Sequence, residues 1–276
     1  MDTILDLDLD FFNWPPFRHE HELPRLPASE CKHLASSFQV RDFLERQCCL
    51  SEQFPLRGHE AEFHKDAIKV WRCWIDEGLL SVPFNIVHID AHSDLGQGED
   101  SLYIERELLA LPVIQRRCLN DGADCHLDSG NYLLFAIANN WVDNLTCVYP
   151  VEPVFPIQDT SGKHVAPEQE LRSFGSHCDK ILYGEELLPC DIPAWIFRES
   201  DRRTGIIELK QYRLNQSPLC HDPTLNTEPP VSFKNQASND FHLSGFTHFF
   251  LARSPQHTPK KADRLLPLIR KYFRQV

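Results

Sequence analysis

Residues 3 to 12 alternate strictly: Leu5, Leu7, Leu9 and Phe11 fall on one side of an extended chain and Asp6, Asp8 and Asp10 on the other, until Pro15-Pro16 stops the run. A period of two marks a strand with unlike faces, so the chain opens on β-structure. A different kind of strand is predicted from Pro83 to Ile89, where nearly continuous apolar residues fit a parallel strand covered on both sides. Between them the pattern turns helical from Gly58-His59-Glu60, with Phe63, Ala67, Val70, Trp71, Trp74 and Ile75 recurring at helical spacings. That reading puts His59 at a helix N-terminus. Further helices are predicted near 38 to 49, at about 101 to 111 and at 130 to 141, the last introduced by Asp128-Ser129-Gly130-Asn131. Short strands are read at 145 to 149, 179 to 183, 193 to 198 and 205 to 213, the last two as a hairpin, and a longer one at 246 to 252. A terminal helix from about 259 to 274 is kinked or shortened at Pro267. Residues 215 to 240 are rich in Pro, Asn, Ser and Thr and have no period, which reads as a lid or a disordered loop. Strands interleaved with helices predict one α/β domain over residues 1 to 276, with a mostly parallel sheet and the functional groups at its carboxyl edge.

The chemistry concentrates where two of these strands run out. Asp90-Ala91-His92-Ser93-Asp94 follows the apolar strand and carries metal-capable side chains at i, i+2 and i+4, a spacing that lets them converge on one small volume. Asp6, Asp8 and Asp10 repeat that spacing. Taken alone, the aspartate row also fits the solvated face of an edge strand, since charged edges guard against aggregation. Three like charges on one face repel, however, and a cation removes the difficulty. Asp8, Asp10, Asp90 and Asp94 with His59 and His92 make four carboxylates and two imidazoles, the oxygen-dominated set that two manganese ions take; zinc recruits fewer ligands, richer in nitrogen or sulfur. His88 shares the parity of Asp90 and His92 and is read as a core histidine or a partner behind the ligands. His19-Glu20-His21-Glu22 is read as a solvated loop after the first strand.

Composition narrows the partners. A formal net charge of -12 argues against nucleic acid and against an anionic membrane as the main partner, and favours a cationic substrate. The ten cysteines are scattered with no Cys-x-x-Cys pair, so they read as buried, reduced thiols rather than a disulfide framework or a zinc site. Three aspartates in the first eight residues are unlike a signal peptide, and no apolar run approaches membrane-spanning length. A cytoplasmic location is expected, and the oligomeric state is left open.

These motifs resemble the arginase/agmatinase (ureohydrolase) superfamily, whose members carry Gly-Gly-Asp-His, Asp-Ala-His-x-Asp and Ser-x-Asp-x-Asp-x-x-Asp-Pro motifs around two manganese ions. Asp90 to Asp94 matches the second in full, Gly58-His59-Glu60 resembles the first, and Leu7-Asp8-Leu9-Asp10-Phe11-Phe12-Asn13-Trp14-Pro15 resembles the third, with Asp6 where the serine stands. Ser129-Gly130-Asn131 is similar to an element that lines the arginase substrate pocket. In that family the Asp-x-Asp strand comes late, whereas here it opens the chain, so the resemblance implies a circularly permuted, single-domain, three-layer α/β/α arginase-like fold. The opening Leu-Asp-Leu-Asp-Leu-Asp-Phe-Phe and the late Ala252-Arg253-Ser254-Pro255 resemble an atypical branch that includes peptide arginases, which turn arginine side chains of ribosomally made precursor peptides into ornithine.

What the resemblance implies is therefore manganese-dependent release of urea from an arginine-containing precursor peptide. Asp8 and Asp90 would bridge the ions, His59 and Asp94 complete one position, and His92 and Asp10 complete the other. Asp94 would be the catalytic carboxylate, with Ser129, Asn131 and Asp6 toward the substrate. Leu133 stands where arginases have a histidine after Ser-Gly-Asn, and the glutamate that holds a guanidinium has no counterpart near 246 to 255. Two alternatives stay open: hydrolysis of a small guanidino compound such as arginine or agmatine, and a metal-stabilised binding protein without catalysis.

Overall fold

A computed structural model describes residues 1–14, 25–31, 33–92, 94–95, 108, 111–116, 126–150, 232–237 and 241–276. Outside those residues lie most of the helix read at 101 to 111, the strands read at 179 to 183, 193 to 198 and 205 to 213, the His19 to Glu22 loop and most of 215 to 240. The described residues build one seven-stranded sheet. Its strands are β1 (Thr3–Asp8), β4 (Leu56–Ala61), β5 (Phe84–Ile89), β6 (Val142–Tyr149), β7 (Ser232–Ala237), β8 (His248–Ala252) and β9 (Phe273–Gln275). Their order is β7-β6-β5-β1-β8-β4-β9, and every pairing is parallel. A short antiparallel pair, β2 (Asn13–Trp14) with β3 (His33–Leu34), stands apart. The α/β class and the parallel sheet expected from the interleaved pattern are present.

β1 is the middle strand, with three neighbours on either side. The edge-strand explanation of its aspartates is thereby corrected, because a central strand covered on both faces has no solvated side. Ile4 packs with Phe84, Ile86, Phe250 and Ala252 in one hydrophobic cluster, which the helix α2 (Ala67–Asp76) and the helix Tyr132–Ala138 complete. Leu5, Leu7 and Leu9 pack with Val87, Ile89, Phe249 and Leu251 in a second cluster, which α1 (Ser37–Asp42) and the C-terminal turns complete. Helices therefore cover both faces. α2 holds because its buried stripe of Ala67, Ile68, Trp71 and Trp74 recurs at helical spacing. Each large side chain so buried contributes roughly 1.5–3 kcal/mol. α1 starts on a reciprocal cap in which Ser36 Oγ accepts from Gln39 N while Gln39 Oε1 accepts from Ser36 N.

Several boundaries differ from expectation. β1 ends at Asp8, and residues 9 to 12 form a tight helical turn, because the Asp8 side chain accepts the Asp10 N–H and bends the chain. Gly58 to Glu60 belongs to strand β4 rather than to a helix start; α2 begins only at Ala67, after the single turn His64–Asp66. The stretch read as an aperiodic loop over 215 to 240 contains strand β7. At the C-terminus, short helical segments from Lys260 to Tyr272 give way to β9, with Pro267 tolerated in the first turn of Leu266–Ile269. Among the described residues no helix is long and apolar enough to cross a membrane. Among the described cysteines, Cys31, Cys48 and Cys147 are buried and Cys49 and Cys73 are exposed.

Candidate metal centre

Parallel pairing brings the carboxyl ends of β1, β4, β5 and β8 to one edge of the sheet, and the polar residues gather there. Asp6 on β1 is level with His88 on β5, and the next positions on that face are Asp8 and Asp90. Five aspartates meet at this edge: Asp6, Asp8, Asp10, Asp90 and Asp94 are at most 7% exposed, and His64 and His88 are 1% exposed.

Backbone bonds hold one oxygen of several carboxylates and leave the other directed inward. Asp8 Oδ1 accepts from Asp10 N at 2.9 Å, Asp10 Oδ1 from Ala91 N at 3.4 Å, and Asp90 Oδ1 from His92 N at 2.7 Å. Ser254 Oγ donates to Asp8 Oδ2. Asp94 and Ser254 both sit in the left-handed backbone region, with φ of 48 and 41, a conformation that costs free energy for residues with a Cβ and gathers at functional sites.

The inward atoms converge on His64. Its Nδ1 lies 3.1 Å from Asp8 Oδ2, 3.0 Å from Asp90 Oδ2 and 3.1 Å from Asp94 Oδ2. One ring nitrogen has one hydrogen or one lone pair, so it cannot satisfy three carboxylates. Among the described residues, His64 Nδ1, Asp90 Oδ2 and Asp10 Oδ2 are fully buried atoms outside hydrogen-bond geometry with any partner. Two unit negative charges about 4 Å apart repel by about 4 kcal/mol at an effective dielectric near 20, so this many carboxylates require positive charge among them. Among the described residues, three groups have the geometry to hold an ion, their ligand atoms lying within 4.8 Å of one another: His64, His88, Asp90 and Asp94; Asp8, Asp10 and Asp90; and Asp10, His92 and His257. An oxygen-dominated donor set with imidazole at its margin, carrying orphaned buried atoms, fits divalent cations.

Without a cation, protons do part of this work. Burial would lower His64 and His92, but Asp6 and Asp10 respectively outweigh it, and both imidazoles titrate well above their ordinary value. Burial and then the charges of Asp8 and Asp90 raise Asp10 well above the carboxylate range. Burial and the charge of Asp90 push Asp94 up to about 6. For Asp90 and Asp6 burial also acts upward, yet the neighbouring imidazoles prevail: Asp90 falls well below the ordinary value, and His64 and His88 hold Asp6 at about 2.

Asp6, Tyr132 and His88 form a polar layer behind the convergent atoms. Asp6 Oδ1 lies 3.0 Å from His64 Nε2 and Asp6 Oδ2 lies 3.1 Å from His88 Nδ1. Tyr132 donates to Asp6 Oδ2 and sits 3.0 Å from His64 Nε2. A carboxylate behind a histidine selects which ring nitrogen faces the ion. His88 completes the layer, with Nε2 at 3.2 Å from the His92 carbonyl.

The structure brings together Asp8, Asp10, Asp90, His92 and Asp94 as the sequence implied, and it corrects the rest. His59 is not in the cluster: it lies on β4, separated from β1 by β8, and its Nδ1 faces Val276 O at 3.3 Å and Gln275 Nε2 at 2.9 Å. Gly58 is required there for close packing, since a Cβ would fall 2.7 Å from Phe249 O and from Phe273 Cβ. His64, in the turn that leads from β4 into α2, takes the place assigned to His59. Its sequence signal was position, one turn before the first buried helical residue. Asp6 is fully buried and faces His64 and His88, which corrects its placement toward substrate. Asn131 spends Oδ1 on Asp128 N and Nδ2 on His126 O, and Ser129 Oγ accepts from Lys65 N, so both brace the loop beside His64. His257 and Tyr132 went unnoticed in the sequence because neither belongs to a spaced motif. The chain matches no protein-family model, no curated protein and no solved structure.

Proposed function

We propose that the chain is a binuclear-metal ureohydrolase that converts arginine side chains of a precursor peptide to ornithine and urea with two manganese ions. The observation that carries this reading is the convergence of Asp8, Asp90 and Asp94 on His64 Nδ1, with orphaned oxygens directed inward. Asp8 and Asp90 would be shared, His64 and Asp94 would complete one ion position, and Asp10 and His92 the other. Two dications held there would lower the pKa of a nearby water and supply a positive field for charge that develops in the reaction.

The residues of the chain do the remainder. Asp94, the most exposed of the five aspartates at 7%, would accept a hydrogen bond from the attacking water and aim it at the planar guanidinium carbon. The water oxygen would bond to Cζ as the Cζ–Nε bond breaks, both water protons would pass to Nε, and the amine would leave as the ornithine ammonium while urea keeps the oxygen. Ser254, Tyr132 and Asp6 keep the ligands from rotating as charge builds. The overall charge of -12 favours approach of a cationic side chain.

Two further observations support the family reading and the peptide substrate. β1 hydrogen-bonds β8 in parallel, so strands from opposite ends of the chain are neighbours, as a permuted arginase-like sheet requires. The Asn131 amide is already engaged within its own loop, which removes from the mouth a group that arginases use for a free amino acid. An internal arginine has no free α-amino or α-carboxylate group to recognise.

Urea release tests the proposal. Manganese-loaded protein is incubated with free arginine, agmatine and an arginine-containing peptide, and the peptide is weighed for loss of one CH2N2 unit per arginine. Urea from the peptide together with that mass loss is the expected result. Product from the small molecules alone would transfer the assignment to a small-guanidine hydrolase, and no product from fully loaded protein would leave a metal-stabilised binding protein.

A further inference from the structure

The loop that leaves β8 reaches the site twice. Ser254 donates to Asp8, and three residues later the His257 ring lies 4.6 Å, centroid to centroid, from that of His92. The loop has little freedom to move His257 away. His257 N donates to Ser254 O at 2.9 Å, Asn13 Nδ2 donates to His257 O at 3.0 Å, and Thr258 Oγ1 donates to the carbonyls of Arg253 and Ser254 at 2.8 and 3.0 Å. Asn13 itself follows directly on the turn that carries Asp10. Ser254 and Asn13, beside Asp8 and Asp10 respectively, thus both hold the His257 backbone.

Asp10, His92 and His257 present ligand atoms within 4.8 Å of one another. Asp10 Oδ2 is fully buried, approaches His92 Nδ1 at 2.9 Å, and lacks the alignment of a hydrogen bond with it or with any other described group. We infer that His257 is a ligand of the outer ion position, which gives that position two imidazoles beside Asp10 and the shared Asp8 and Asp90, whereas the inner one, built on Asp8, Asp90, Asp94 and His64, has one. The inference rests on the two-ion reading above and adds to it a chemical difference between the two positions. Carboxylate-dominated sites suit manganese, whereas each added imidazole favours zinc, cobalt and iron. The outer position therefore accepts a borderline ion more readily than the inner one does, with manganese in both when no such ion competes.

Metal-stripped full-length protein, titrated with Co2+ and followed by visible absorption with bound ions counted by elemental analysis, tests this for the wild type, His257→Ala and His257→Gln. The wild type is expected to take two ions in distinguishable steps. In both variants one step is unchanged, and the other weakens by at least about tenfold, the lower end of what even an indirect partner of a metal ligand costs. In competition, Zn2+ displaces Mn2+ from one position of the wild type and does so far less in the variants. Thermal melting of the stripped proteins checks folding, and if the alanine variant melts early the glutamine variant carries the comparison. Identical titrations and identical zinc preference in all three proteins would overturn the role of His257 and leave the two-ion centre standing. A wild type that binds no ion would overturn both.

Discussion

The two faces of β1 are buried to the same degree and could hardly differ more in chemistry. Leu5 and Leu7 are 0% exposed within a hydrophobic cluster; Asp6 and Asp8, one residue along in each case, are 0% and 3% exposed within a cluster of carboxylates and imidazoles. Burial by itself therefore says little about what stabilises a residue. The leucine face is held by removal of apolar surface from water, which needs no partner in particular. On the other face Ile4 still packs in a hydrophobic cluster, but the aspartates beyond it are held by specific partners: Tyr132 and His88 at Asp6, Ser254 at Asp8, and His64 among three carboxylates. Alternation in a strand ordinarily separates core from solvent. In this central strand it separates core from site.

Asp90→Ala is the largest break on the polar face. It removes the carboxylate that approaches both His64 and His92, and it should cut urea release by more than the roughly 100-fold typical of an indirect ligand partner, with loss of bound metal by elemental analysis and no loss of the helical circular dichroism signal. Leu7→Ala is its counterpart on the apolar face. It should lower unfolding free energy by about 2–5 kcal/mol in a denaturant titration, while metal content per folded molecule stays at the wild-type level. Equal metal loss in both variants would dissolve the distinction between the faces.

Asp6→Asn sharpens it further, because shape is kept and charge removed. Metal affinity should fall by about 10–100-fold in a competition titration with a chelator, less than for a direct ligand. Acidity gives a smaller effect. The folded-state values of His64, His88 and His92 are raised, so the stability they contribute to the metal-free protein is complete below about pH 6.5, the unfolded value, and is lost as pH rises through the folded values. Cations replace those protons, so metal affinity should climb over the same interval, with proton release measurable by calorimetry in buffers of different ionisation enthalpy. His59→Ala should do least: metal content unchanged and stability within about 0.5 kcal/mol, as for a partly exposed side chain away from the cluster. Loss of an ion in that variant would restore His59 to the site.

The residues that were legible in the sequence are those whose spacing repeats a local geometry. A period of two placed Asp6 and Asp8 on one side of β1 and Asp10 just beyond it, and a nearly continuous apolar run placed Asp90 at the end of a buried strand. His64 and His59 show where such reasoning stops. The Gly58-His59 pair resembles a ligand motif, but only the register of β4 against β8 and β9 reveals that Gly58 lets Phe273 approach and that His59 faces the C-terminus. His257 carried no local signal at all, since it is held near His92 by a bond from the Asn13 side-chain amide to its carbonyl, far away along the chain.

The sequence by itself determined that the chain makes a parallel α/β sheet with carboxylates and a histidine at its strand exits, because hydrophobic period and strand parity are local properties of covalent geometry. Which histidines join them, that Asp6 lies behind the cluster, and that the aspartates are buried are set by the packed sheet. Those outcomes depend on strand order and register, which follow from packing across the whole sheet and leave no mark on the spacing of any one segment.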